Sequence, residues 1–85
     1  MILKIIKTRE KEDRENPKEI SVSMQTRFIN CDKFDYQDGI INVNGESIVV
    51  SDYKQYDPID NTFSNYRTNS VFVMNNDGKT IERII

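Results

Sequence analysis

The stretch KFDYQDGIINVNGESIVV, residues 33 to 50, constrains the fold more than any other part of this 85-residue chain. It holds two dipeptides, Asp38-Gly39 and Asn44-Gly45, that supply the positive φ angles a two-residue type I′ hairpin turn demands. With both taken as hairpin corners, the register follows. Tyr36 faces Ile41, Phe34 faces Val43, Val43 faces Glu46 and Ile41 faces Ile48. Phe34, Tyr36, Ile41, Val43, Ile48 and Val50 then share one side of a three-stranded meander. Asp35, Gln37, Asn42 and Ser47 share the other, with Ile40 and Val49 as exceptions. Two independent turn signals give one apolar face, so local and global requirements agree.

The flanking segments also read as strands. Ile2 to Lys7 is apolar at its start. ISVSMQT, residues 20 to 26, alternates Ile20, Val22 and Met24 against Ser21, Ser23 and Gln25, the pattern of a half-buried strand. The apolar side changes parity toward Ile29, which predicts a β-bulge near Arg27. Val71 to Met74 is apolar at every position and reads as a central strand covered on both faces. It is followed by a final hairpin closed by Asn76-Asp77-Gly78, of open register. Composition supports strands throughout: no alanine and one leucine, Leu3, against twelve isoleucines. The best helix formers are missing and β-branched residues dominate. The expectation is one all-β domain over residues 1–85: a small antiparallel barrel or sandwich of six to seven strands around the central meander.

Composition also weighs against most chemistry. The chain has no histidine, which removes the commonest general base and the commonest metal ligand together. Cys31 therefore lacks a base to make it a nucleophile and reads as a small buried thiol. Asp32, Asp35 and Asp38 precede Gly39 at intervals of three. An EF-hand count with Gly39 sixth puts Phe34 first and Tyr36 third, neither of which can bind calcium. No glycine-rich run cradles phosphate. The expectation is no catalytic activity, no metal and no cofactor. A single cysteine allows no internal disulfide, and MILKIIK is too short for a signal segment or a membrane span, which together point to the cytoplasm.

Net charge is −2, with the cations spread along the chain. Tight phosphate-backbone binding needs them clustered. Two stretches stand out as surfaces. Residues 9–19 contain no apolar side chain and read as a polar loop or an extended hairpin arm. Residues 51–68 read as a long aromatic loop, in which Tyr53, Tyr56, Phe63 and Tyr66 hold half of the chain's rings. Either those rings pack as a lid over an open end of the core, or they stay exposed as interface anchors. Asp57 and Asp60 beside them would favour a basic protein partner, with Arg67 offsetting part of that charge.

The function expected on these grounds is a small protein-binding module with Tyr53, Tyr56, Asp57, Asp60, Phe63, Tyr66 and Arg67 as its site. Size and an Asn-, Ile- and Lys-rich composition suit an inhibitor encoded by a phage or other mobile element, acting by steric blockade of a host nucleic-acid or defence protein. Two alternatives carry other expectations. One is a small-barrel binder of single-stranded nucleic acid, with Lys4, Lys7, Arg27, Lys79 and Arg83 meeting phosphates. The other is a virion component that oligomerises through strand edges.

Overall fold

The computed structural model describes residues 1–13, 15 and 20–85, and these contain strands and no helix. Eight strands are described: β1 (Ile2–Asp13), β2 (Ile20–Asn30), β3 (Asp35–Gln37), β4 (Ile40–Val43), β5 (Glu46–Val49), β6 (Tyr53–Asp57), β7 (Thr62–Met74) and β8 (Thr80–Arg83). They form two antiparallel sheets. The larger has the order β2-β1-β7-β6, with β8 pairing the far end of β7; the smaller is β3-β4-β5.

The smaller sheet is the meander. Asp38 and Gly39 have φ of 53° and 73°, and Asn44 and Gly45 have 51° and 76°, as type I′ turns require. Tyr36 pairs with Ile41, Ile41 with Ile48 and Val43 with Glu46. Ile41, Val43, Ile48 and Val50 are buried, while Ser47 donates to Asn42 Oδ1 at 2.6 Å on the other side. Tyr36 departs from the expectation. It lies in a three-residue edge strand and stays exposed, whereas Phe34, expected on the same side, does pack at the margin of the core.

The buried face of the meander meets Leu3 and Ile5 of β1, Ile29 of β2, Cys31, and Val71 and Val73 of β7 in one core. Leu3, Ile5, Ile41 and Val71 are almost wholly enclosed, and each such side chain stabilises the fold by about 1.5–3 kcal/mol. Polar ties border this core. Lys7 Nζ donates to the Val49 carbonyl at 3.0 Å. Burial, with Arg27 nearby, pushes the Lys7 ammonium below its usual range.

The sheets do not close into a barrel. The core lies under the Leu3–Ile5 end of β1, and the larger sheet continues well past it. The molecule measures 46 × 23 × 18 Å, with a radius of gyration of 15.1 Å, against about 12 Å for a compact domain of this length.

Several expectations require correction. Among the described residues the strand count is eight rather than six or seven. Residues 51–68 are not a loop, because Tyr53–Asp57 and the start of β7 pair as a hairpin. Of residues 9–19, Arg9–Asp13 extends β1 between β2 and β7, so the hairpin-arm alternative holds there and the loop does not; the remainder, apart from Glu15, lies outside the described residues. β2 pairs with β1 without a bulge from Ile20 to Asn30. The register shift falls instead between β1 and β7, after Ile6, where Asn69 is the extra residue. β7 is central, but only one of its faces is covered: Val71 and Val73 are buried, Phe72 and Met74 half-buried on the opposite side.

The final hairpin closes as a three-residue loop. Asn75 N–H donates to the Lys79 carbonyl at 2.9 Å, and Gly78 takes φ of 86°. Asn75 Oδ1 accepts from the Asp77 and Lys79 amides.

Candidate functional site

The β6–β7 hairpin carries the aromatic residues singled out in the sequence. It turns through Pro58–Asn61, because Pro58 fixes φ at the first loop position and Asp57 Oδ1 accepts the Ile59 N–H at 2.9 Å. Asn61, at φ 53°, returns the chain to β7.

Register then sets two ring pairs. Tyr53 lies opposite Tyr66 and Tyr56 opposite Phe63. Side chains alternate across a strand, so the two pairs occupy opposite faces. Tyr53 and Tyr66 stack, with centroids 4.6 Å apart and planes 13° apart. Arg9 lies 5.6 Å from the Tyr66 centroid and donates from Nε to Ser64 Oγ at 3.2 Å. On the other face Tyr56 and Phe63 are tilted by 43° at 5.0 Å, and Lys54 lies 4.5 Å over Phe63. Tyr56 Oη donates to Asn61 Oδ1 at 3.0 Å.

None of these rings belongs to the core cluster. The lid reading therefore fails for a geometric reason: the hairpin lies along the larger sheet, beyond the end that the meander covers. The charged members of the predicted site are spread over it. Asp60 is 3.6 Å from Lys11, and Arg67 donates to Glu10 at 2.9 Å across the β1–β7 ladder. Asp57 serves the turn.

Sequence reasoning missed Ile59. It stands at the hairpin tip between Pro58 and Asp60 with 92% of its surface exposed. The available signal was an isoleucine inside a turn of otherwise polar or restricted residues. A second feature was misjudged: Ile20, Val22, Met24 and Phe28 are all exposed on one face of β2.

The cations assigned to the nucleic-acid alternative do not share a surface. Lys4 and Arg83 lie on the outer face of the larger sheet, over Phe28 and Phe72. Lys7 and Arg27 lie on the inner face, bonded to Val49 and Glu46. Among the described residues, no cluster of three or more His, Cys, Asp or Glu side chains is placed to hold a metal ion, and no helix is long and apolar enough to cross a membrane. Cys31 is a buried free thiol whose main chain bonds that of Met1.

A scan against protein-family models finds no match, and searches of curated proteins and of solved structures return none.

Proposed function

We propose that this chain is a small non-catalytic protein-binding module that engages its partner through the β6–β7 hairpin and acts by steric blockade. The observation that carries the reading is Ile59, an almost fully exposed isoleucine at the tip of a hairpin whose rings lie outside the core. A large apolar side chain held in a rigid turn loses little entropy on binding, which is what an interface anchor requires. Tyr53 and Tyr56, exposed to 39% and 43%, flank the tip on opposite faces of the hairpin. Asp57 and Asp60 flank the tip, so the partner offers an apolar socket rimmed by Lys or Arg. An inhibitor encoded by a phage or other mobile element is the setting that size and composition favour.

The test is a pull-down from host lysate with matched baits. The wild-type chain captures a partner that Ile59→Asp does not, and the purified pair reproduces the difference by calorimetric titration. Equal capture by both baits overturns the assignment of the tip. Salt-sensitive micromolar binding of single-stranded oligonucleotides, unaffected by Ile59→Asp, moves the nucleic-acid reading ahead.

A further inference from the structure

We infer that the chain forms a symmetric homodimer by antiparallel pairing of β2 with β2 of a second copy, about a two-fold axis at Met24. This inference is independent of the hairpin's role, since β2 and β6 are opposite edges of the larger sheet.

The direction of the free main-chain groups follows from one pair. Met1 and Cys31 exchange both bonds, the Met1 ammonium donating to the Cys31 carbonyl at 3.1 Å and the Cys31 N–H to the Met1 carbonyl at 3.0 Å. Bonded and non-bonded pairs alternate along an antiparallel ladder. In the β1–β2 register, the odd-numbered residues of β2 therefore bond β1, and the even-numbered ones turn N–H and C=O toward the open edge. Asn44 Nδ2 meets one such outward carbonyl, that of Asn30, at 2.8 Å. From Ile20 to Phe28, β2 pairs with no other described strand.

This edge lacks the devices that keep sheet edges apart. It has no proline, no lysine and no bulge, and its one charge, Arg27, is held in a two-pronged bond to Glu46 of the same chain on the opposite face. The even-numbered side chains are Ile20, Val22, Met24, Thr26 and Phe28, and Met24 is 66% exposed.

The occupant is a second copy because the strand complements itself. Pairing about Met24 sets Met24 against Met24, Ile20 against Phe28 and Val22 against Thr26. Each match is a bonded pair of outward residues, and no like charges oppose one another. The chain exposes 5963 Å², about 700 Å² more than a monomer of 10.0 kDa is expected to show, and the exposed Ile20, Val22, Met24 and Phe28 of this edge contribute to that excess. Pairing this way joins the two larger sheets into one and leaves a β6–β7 hairpin at each far end, which makes the assembly bivalent.

Two measurements test this. Sedimentation equilibrium gives twice the 10.0 kDa chain mass for wild type and one chain mass for Met24→Lys, which apposes two ammonium groups at the axis. Circular dichroism shows that variant folded, its side chain being solvent-facing. In parallel, Met24→Cys oxidises to a disulfide-linked dimer, because bonded partners place their Cα atoms about 5.5 Å apart, within disulfide reach. Val22→Cys does not, since its own copy is four residues away along the strand, roughly 13 Å. Peptide mass analysis distinguishes the new bridge from the buried Cys31. A monomeric wild type, a dimer that survives Met24→Lys, or cross-linking at Val22→Cys instead of Met24→Cys each overturns the proposal. A monomer would leave this edge to a strand of another protein.

Discussion

Arg27 and Glu46 form a two-pronged ion pair, with Nη1 donating to Oε1 at 2.8 Å and Nη2 to Oε2 at 2.6 Å, joining β2 of the larger sheet to β5 of the meander. The bond from Arg27 holds the Glu46 carboxyl below its ordinary value of 4.5. A depressed folded-state value means the pair's stabilisation is present above pH 4.5 and is lost as pH falls through the folded value. Urea unfolding of wild type and Glu46→Gln should therefore differ at neutral pH and converge in acid. Both side chains are about half exposed, so the difference should also shrink with added salt. A gap that persists in acid contradicts this account.

The two meander corners should respond unequally to alanine. Both Gly39 and Gly45 have φ in the left-handed region, where a Cβ costs about 1 kcal/mol. At Gly39 the new Cβ would also lie 2.9 Å from Ser51 Cβ, whereas nothing lies within 4 Å at Gly45. Gly45→Ala is expected to lose about 1 kcal/mol and Gly39→Ala roughly 2–3 kcal/mol. Equal losses in denaturant titrations would show that the close approach to Ser51 relaxes at no cost.

Stacking of Tyr53 on Tyr66 stabilises the hairpin more than the core. Tyr53→Ala is expected to cost about 0.5–1.5 kcal/mol. Amide exchange should rise along β6 and the facing half of β7, while Leu3, Ile41 and Val71 keep their protection. Uniformly faster exchange would tie the ring to the core instead.

The meander was legible because turn chemistry acts locally: two dipeptides fix the register, and the register fixes the buried face. The hairpin from Tyr53 to Tyr66 was not, although its residues alternate between faces as strands must. Neither face is covered by a second layer, so neither needs to be uniformly apolar, and the period-two signal vanishes. The same holds for Arg9–Asp13, a strand without one apolar residue, held by neighbours on both sides. β2 shows the converse. Its alternation correctly placed Ile20, Val22 and Met24 on one side, but periodicity reports a shared side and not what covers it. Ile59 escaped notice because a turn position carries no periodicity at all.

The rings of the β6–β7 hairpin lie on its two faces and outside the core. The most direct measurement is the unfolding free energy of the Tyr56→Ala/Phe63→Ala double variant beside Ile41→Ala. A loss of no more than about 2 kcal/mol is expected for the double variant, the scale of a cross-strand ring pair with partial burial. Ile41→Ala, in the enclosed core, is expected to lose about 2–5 kcal/mol. A double variant that loses about 6 kcal/mol or more, as two buried rings would, would place the rings in the core.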